Sequence, residues 1–360
     1  MELTKRLKTL IDKHYNIGTI TKTAIIVGGT VNTSYCVWTH ENSIEKKYVL
    51  RQYQPLKNQN DIEFEHAIID HLAKKNFSIV GHIKPTKSNE TYFVTTVNTD
   101  ENRPKKVFNS IFTFLDGEDL YSWCFPGCSM NELSSSGQVL AEYHSNISDF
   151  KHDKTKSDLK IKELLPTLVE KIDTHINSFD GTAVTTYLKE HLNLITTEMN
   201  EVSRAFNTFD NDEFPEVVIH CDFHPGNLLY ENGKVTGMFD FDWALFDIRA
   251  FDVGMALMYF CSEWNDKDNG LIHQDKVDAF MKSYQATQQK MINISKVGPL
   301  NKVELSAMQL MIRGANLYLL YWGIIDYYTK SLDPVEYVKY LKHSIKMIQW
   351  LRNNTLHING

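Results

Sequence analysis

The chain has 360 residues, 42% of them hydrophobic, so it is long enough to bury a substantial core as one bilobal unit or two domains. Its formal net charge of −7 and pI near 6.1 argue against general binding to nucleic acid. The five cysteines are irregularly spaced, no stretch reaches the roughly 18 apolar residues of a membrane span, and the amino terminus does not resemble a signal peptide. These features predict a cytoplasmic protein with reduced thiols and no membrane partner.

Residues 1–114 are predicted to form a small antiparallel β lobe with one main helix. Alternating and β-branched runs predict strands at 23–27, 34–39, 47–53, 91–97 and 107–114, and residues 61–75 are predicted to be helical. Gly28 and Gly29 lie between the first two strands, close to Asn32. Glycines there would let backbone amides approach phosphate groups, although a glycine pair in a hairpin is also simply a turn.

The third predicted strand carries a candidate nucleotide-binding pair. Val49 and Arg51 share one face of this strand, which places an apolar side chain for adenine beside a cation for phosphates. In the next helix, Glu65 lies at the centre of the apolar stripe, where a carboxylate is costly unless a cation meets it. We therefore expect an Arg51–Glu65 ion pair. The alternative is that Arg51 is a solvated residue of a surface strand.

Residues 115–360 are predicted to form a large, mostly helical lobe, and a turn at Asp116 and Gly117 marks the boundary. Helices are predicted at 131–146, 160–177 and 185–206, and four more are predicted to follow a central hairpin. The predicted fold is thus α+β and bilobal. In such an arrangement a nucleotide is expected to bind at the lobe interface.

The central hairpin carries the most informative string of the chain. Residues 220–227 read His-Cys-Asp-Phe-His-Pro-Gly-Asn, and Asp-Phe-Asp follows at 240–242. An Asn-Gly pair at 232–233 predicts a two-residue turn between two short strands. Asp222 and Asn227 therefore share one loop, and Asp240, at the end of the returning strand, is expected beside them.

This set of side chains suits phosphoryl transfer. Asp222 can accept the proton of an attacking hydroxyl, while Asn227 and Asp240 can hold the magnesium ions that bridge nucleotide phosphates. Taken singly, Asp and Asn are also ordinary turn residues. A zinc site is disfavoured, because His220, Cys221 and His224 make a poor tetrahedral set.

These strings, together with Phe-Asp-Val-Gly at 251–254, resemble the aminoglycoside phosphotransferase and choline kinase-like superfamily. The resemblance covers most of residues 20–262 and implies a protein-kinase-like fold that binds ATP and Mg²⁺. It implies that Asp222 is the catalytic base, that Asn227 and Asp240 are the magnesium ligands, and that Asp252 braces the catalytic loop. In departures from the family pattern, Arg51 stands where many relatives have Lys, and Cys221 stands where Gly is common.

The resemblance implies transfer of the ATP γ-phosphoryl group to a hydroxyl of a small metabolite. The short segment after Asp240 disfavours a protein acceptor, because a protein kinase needs a longer activation segment. Asp242 and Trp243 are candidate acceptor-binding residues, since a carboxylate beside an aromatic ring can hold an ammonium group. The alternative is that Asp242 is a second metal ligand or supports the metal ligands from behind, and that Trp243 is core.

An amino-alcohol such as homoserine or choline is the leading acceptor, followed by an aminoglycoside or a sugar. In domain terms, 1–114 is predicted to bind the nucleotide and 115–360 to carry the catalytic loop and acceptor pocket. An alternative of another class is a non-catalytic kinase-like scaffold or spore-coat type protein. The sequence leaves open the oligomeric state, the choice between ATP and GTP, and any role in antibiotic resistance.

Overall fold

The structure, a computed structural model, describes residues 2–27, 32–41, 43–55, 57–98, 104–122, 127–153, 156, 159–176, 181–209, 213–265, 267–330 and 334–358. The chain divides into two compact units. The first comprises Met1–Gly117, Lys151–Lys156 and Thr236–Asp242, and the second comprises Glu118–Phe150, Ser157–Val235 and Trp243–Gly360. The predicted assignment of nucleotide and acceptor to separate domains stays a prediction.

The first unit is built on a five-stranded antiparallel sheet of order β1-β2-β3-β5-β4. Its strands are β1 Thr19–Ile26, β2 Thr33–Glu41, β3 Ile44–Gln52, β4 Phe93–Asn98 and β5 Pro104–Thr113. The predicted small antiparallel sheet is therefore confirmed. In β3, which lies at the centre of the sheet, Arg51 pairs with Ser34 on one side and with Ser110 on the other.

In the described part of the first unit, two helices accompany this sheet, whereas the sequence predicted one main helix. The predicted helix is α2 Gln59–Lys74, which buries Ile62, Ile68 and Leu72. The unpredicted helix is α1 Glu2–His14, whose Leu7 and Ile11 join an apolar core with sheet residues. Leu3, Leu7, Leu10 and Ile11 recur at helical spacing, so α1 is an amphipathic helix that the sequence analysis did not assign.

The second unit is mostly helical, as predicted. Its helices are α3 Met130–Ile147, α4 Ile161–Ile176, α5 Ala183–Asn207, α6 Arg249–Cys261, α7 Gln274–Lys290, α8 Lys302–Ser306, α9 Met308–Lys330 and α10 Pro334–Asn353. Five helices rather than four thus follow the hairpin in the described part of the chain, because Asn301 caps α8 as a short separate helix before α9. No helix among the described residues is both long and apolar enough to cross a membrane.

Short strands interrupt these helices. β6 Glu216–Ile219 pairs antiparallel with β9 Leu245–Ile248, and β7 Leu228–Glu231 forms a two-stranded sheet with β8 Lys234–Met238. The predicted hairpin is confirmed by its turn, because Asn232 and Gly233 have φ values of 52° and 75°. Positive φ at both central residues is the signature of a type I′ turn, which matches the twist of the flanking strands.

Helix α6 forms the interior of the second unit, since every residue from Arg249 to Cys261 is buried. It packs tightly against α9 at Gly254, where an added Cβ would lie 2.5 Å from Met311 Cβ and 2.8 Å from the Met311 carbonyl carbon. Glycine is required there because backbone atoms of α9 cannot move aside as a flexible side chain can. The position of α6, and of Asp252 within it, therefore depends on this contact.

We expect Gly254→Ala to lower the free energy of unfolding by about 1–3 kcal/mol, since it overpacks this contact. The same change in an exposed helix would stabilise by up to about 1 kcal/mol, so the sign of the effect is diagnostic. Urea denaturation measures it, with Gly127→Ala as the control, because nothing lies within 4 Å of a Cβ at Gly127. A stabilised Gly254→Ala variant would contradict the close packing of α6 on α9.

Candidate active site

The loop between β6 and β7, residues 220–227, is the candidate catalytic loop. Its start is held by Asp252 in the first turn of α6. The backbone N–H groups of His220 and Cys221 donate to Asp252 Oδ2 and Oδ1, each at 2.9 Å. The bracing role expected of Asp252 is therefore confirmed.

A buried histidine supports this carboxylate. His144 Nε2 lies 3.0 Å from Asp252 Oδ2, and its Nδ1 lies 2.7 Å from the hydroxyl of Tyr284. Burial lowers the pKa of His144, so the ring is neutral, donates through Nε2 and accepts the Tyr284 hydroxyl proton at Nδ1. Burial opposes ionisation of Asp252, but the hydrogen bond from His144, the backbone hydrogen bond from His220 and the charge interactions with both histidines together hold the Asp252 pKa below its usual value.

Within the loop, Asn227 orients Asp222. Asn227 Nδ2 donates to both the carbonyl oxygen and Oδ2 of Asp222, at 2.9 Å in each case. His224 Nδ1 accepts from the Gly226 N–H at 3.0 Å, so its Nε2 carries the proton and faces Asp222 Oδ2 at 3.6 Å. The Asp222 side chain keeps 25% of its surface exposed, which leaves it accessible to a ligand.

Cys221 and Asp240, two residues of the conspicuous sequence strings, adopt left-handed backbone conformations. Their φ values are 60° and 64°. Such φ values are uncommon outside glycine, and backbone strain of this kind clusters at functional sites. The conformation also explains why glycine suits position 221 in the family that this sequence resembles.

In the first unit, Arg51 lies among three carboxylates. Its Nη1 donates to Glu65 Oε1 at 2.9 Å and lies 3.8 Å from Asp242 Oδ1, and its Nη2 lies 3.4 Å from Asp240 Oδ1. Glu65 is 1% exposed, and burial followed by the nearby Asp242 raises its pKa, against the opposing effect of Arg51. The structure thus brings the predicted Arg51–Glu65 pair together, while its role in nucleotide binding stays a prediction.

Asp242 is buried, and two lysines that the sequence analysis did not identify contact it. Its Oδ1 lies 3.6 Å from Lys57 Nζ, and its backbone carbonyl accepts from Lys57 and Lys156. Asn32, a predicted nucleotide-binding residue, donates from Nδ2 to Asp242 Oδ2 at 2.6 Å. Burial acts to raise the pKa of Asp242, but the nearby Arg51 and Lys57 together with hydrogen bonds from Asn32 and Glu65 lower that pKa.

Neither lysine had a usable signal in the sequence. Lys57 lies in the connection between β3 and α2, and Lys156 lies in a separate short segment of the first unit. Of the other predicted nucleotide-binding residues, Val49 is half-buried in β3, and Gly28 and Gly29 lie outside the described residues.

The predicted metal ligands have suitable chemistry. Because Asn227 donates through its amide nitrogen to Asp222, its carbonyl oxygen points elsewhere and is available to a cation, and Asp240 keeps 35% of its side chain exposed. Among the described residues, no three His, Cys, Asp or Glu side chains form a metal cage. Mg²⁺ needs no such cage, because it commonly binds one or two protein oxygens together with water and phosphate.

The second unit contains a cavity of about 200 Å³. The sequence analysis did not predict that its lining residues lie together. Its polar and aromatic lining includes Lys171, Cys221, Trp243, Asp247, Tyr318 and Trp322. Trp243, a predicted acceptor-binding residue, packs against Trp322 with ring centroids 5.0 Å apart. Cys221 directly precedes Asp222, so the cavity reaches the residue next to the candidate base.

A model of the phosphotransferase enzyme family matches residues 22–279. The chain is 25% identical to a homoserine kinase of Bartonella henselae, over 90% of this chain and 89% of that relative. It is 26% identical to a homoserine kinase of Bradyrhizobium sp. (strain ORS 278), over 92% of this chain and 90% of that relative.

Solved structures share the fold. A spectinomycin phosphotransferase in complex with ADP and spectinomycin has a TM-score of 0.65 at 14% identity, covering 97% of this chain and 98% of that one. Choline kinase from Cryptosporidium parvum also has a TM-score of 0.65 at 14% identity, covering 97% and 95%. An amicoumacin kinase in complex with AMP-PNP and Ca²⁺ has a TM-score of 0.64 at 12% identity, covering 97% and 96%. The predicted α+β, kinase-like fold is therefore confirmed.

We expect Asp252→Asn to lower the free energy of unfolding by about 3 kcal/mol, because an amide accepts only through one atom and leaves a buried N–H of the loop without an acceptor. Chemical denaturation measures the loss, and hydrogen exchange should show faster exchange at the amides of His220 and Cys221. Asp278→Asn, at an exposed position of α7, is the matched control. Unchanged protection of these two amides would refute the bracing role.

Arg51→Met should lower the free energy of unfolding by about 3–5 kcal/mol, since it leaves the cluster of Glu65, Asp240 and Asp242 without its central cation. Arg51→Lys should lower the free energy of unfolding by less, because an ammonium keeps the positive charge. Some loss should remain, because lysine cannot contact Glu65 and Asp240 through separate nitrogens. Thermal melts compare them with Lys46→Met, which removes an exposed cation of β3 that is paired with Glu41 of β2. Equal melting temperatures for Arg51→Met and Lys46→Met would show that Arg51 does not stabilise the carboxylate cluster.

Proposed function

This chain belongs to the phosphotransferase enzyme family and is a small-molecule kinase, and we propose that it transfers the γ-phosphoryl group of ATP to the hydroxyl of homoserine. The loop geometry carries the proposal of reaction type: Asp252 holds the loop, and Asn227 orients Asp222 within it. The choice of homoserine rests on relatives of that name that match about nine-tenths of both chains. A cytoplasmic location fits this function.

Asp222 is the proposed catalytic base. The acceptor hydroxyl oxygen attacks the γ-phosphorus while its proton passes to the Asp222 carboxylate. The bond from the γ-phosphorus to the bridging oxygen breaks, and ADP leaves. The hydrogen bond from Asn227 to Oδ2 fixes the carboxylate before the reaction, so that little reorientation is needed in the transition state.

The first unit is proposed to bind the nucleotide. Arg51, fixed by Glu65, would contact the α- and β-phosphates, Val49 would pack against adenine, and Gly28 and Gly29 would approach the phosphates. Asn32, which is hydrogen-bonded to Asp242, would help to place this part of the site.

Asn227 and Asp240 are the proposed ligands of Mg²⁺, through an amide carbonyl and a carboxylate oxygen. When bound, Mg²⁺ neutralises the charge that develops on the transferred phosphoryl group.

Asp242 and Trp243 remain the proposed acceptor-binding residues. Trp243 has support from the structure, because it lines the cavity that also contains Cys221. Asp242 is proposed to contribute negative charge toward the acceptor ammonium group.

The functional test is a metabolite screen with labelled ATP and Mg²⁺, covering homoserine, choline, ethanolamine, sugars and aminoglycosides. We expect labelled phosphohomoserine as the main product. A different labelled metabolite would replace the proposed acceptor. If ATP and Mg²⁺ neither raise the melting temperature nor yield any labelled product, the protein is a non-catalytic scaffold.

Asp222→Asn should lower turnover by about 10²- to 10⁴-fold, the usual contribution of a general base. Nucleotide-dependent stabilisation should persist, because the amide oxygen can still accept the hydrogen bond from Asn227. Single-turnover kinetics and thermal shift measure the two quantities, with Asp278→Asn as the surface control. Wild-type turnover in Asp222→Asn would eliminate Asp222 as the base.

A further inference from the structure

A side chain in the wall of the second-unit cavity carries a hydrogen-bond donor without a partner among the described residues. Trp322 lines this cavity, and its indole Nε1–H is buried without a hydrogen-bond partner among the described residues. Buried polar groups in folded proteins almost always have partners, and a lone donor at a cavity wall indicates a ligand that supplies the acceptor.

A cation lines the same cavity. Lys171, on α4, lies with its Nζ 5.4 Å from the ring centroid of Tyr321. Within the described part of the chain, no carboxylate forms a salt bridge with Lys171. Its charge is therefore available to an anionic group of a ligand.

The carboxylate in the cavity wall is hydrogen-bonded to the backbone. Asp247 is 3% exposed, and each of its oxygens already accepts a backbone N–H, from Ile161 at 2.6 Å and from Ile248 at 2.7 Å. Burial raises the pKa of Asp247 to about 6, against the effect of these two hydrogen bonds. The cavity thus offers an N–H donor and a cation to a ligand, while its own carboxylate is committed to the backbone.

From this arrangement we infer that the cavity binds the carboxylate group of the acceptor, through Trp322 Nε1–H and Lys171. The inference rests on the proposed function, and it specifies the substrate class as a short hydroxy acid rather than a neutral or purely cationic alcohol. Cys221 lines the cavity and directly precedes Asp222 in the chain, so we expect the hydroxyl of a short hydroxy acid anchored here to extend toward the candidate base. The ring of Trp243, packed on Trp322, forms the apolar wall.

The inference makes the carboxylate of homoserine essential for recognition. Replacing L-homoserine by its carboxamide keeps the hydroxyl and the ammonium group but removes the negative charge. We expect kcat/KM to fall at least about 100-fold, because the cavity is then left with an uncompensated cation and a weakened hydrogen bond.

Two variants test the named donors. Trp322→Phe removes the N–H and keeps an aromatic ring, and it should raise KM for homoserine about tenfold with a smaller effect on kcat. Lys171→Gln should raise KM a few-fold, and this difference should shrink in high salt, since Lys171 is exposed. Trp350→Phe and Lys282→Gln, on α10 and α7 outside the cavity, are the matched controls.

The variants also separate this inference from the proposed function. If homoserine is phosphorylated but neither cavity variant raises KM or weakens discrimination against the carboxamide, the inference fails and the function stands. If the screen instead identifies an acceptor without a carboxylate, such as choline, both fail. If it identifies another hydroxy acid whose KM rises in both cavity variants but in neither control, the inference holds and homoserine is replaced.

Discussion

The loop that carries the candidate base depends on one buried carboxylate. Asp252 accepts hydrogen bonds from the first two backbone N–H groups of the loop, and it accepts a third from His144. A fully buried carboxylate is costly unless its oxygens are well supplied with donors, and here two backbone amides and a neutral imidazole supply them. Cys221, the second residue held by Asp252, has a left-handed φ of 60° and directly precedes Asp222. Because Asp252 lies in a helix locked against α9 at Gly254, core packing of the second unit controls the geometry of the loop.

The first unit is organised differently, around a cation among carboxylates. Arg51 contacts Glu65, Asp240 and Asp242, and two lysines add positive charge around Asp242. The planar fork of arginine suits this role, because separate nitrogens can face separate carboxylates. A lysine at this position would satisfy one of them. The arginine that departs from the usual family residue is therefore matched to its acidic surroundings.

Local patterns made the hairpin and the ion pair predictable. The Asn232–Gly233 turn follows from two residues that tolerate positive φ, and Glu65 was conspicuous because it interrupts an apolar stripe. What escaped prediction depends on residues far apart in the chain. His144 is 108 residues from Asp252, and the cavity joins Lys171 of α4 to Trp322 of α9. No periodicity within either helix marks these side chains as neighbours, so only the packed structure shows them together.

The proposed function requires direct phosphoryl transfer from ATP to the hydroxyl of homoserine. The most direct measurement uses homoserine with ¹⁸O in its side-chain hydroxyl, incubated with ATP, Mg²⁺ and the protein, and follows the product by mass spectrometry and ³¹P NMR. Attack by the hydroxyl oxygen on the γ-phosphorus predicts phosphohomoserine that retains the heavy oxygen, formed one-for-one with ADP. ADP formation without phosphohomoserine, or phosphohomoserine that has lost the heavy oxygen, would contradict it.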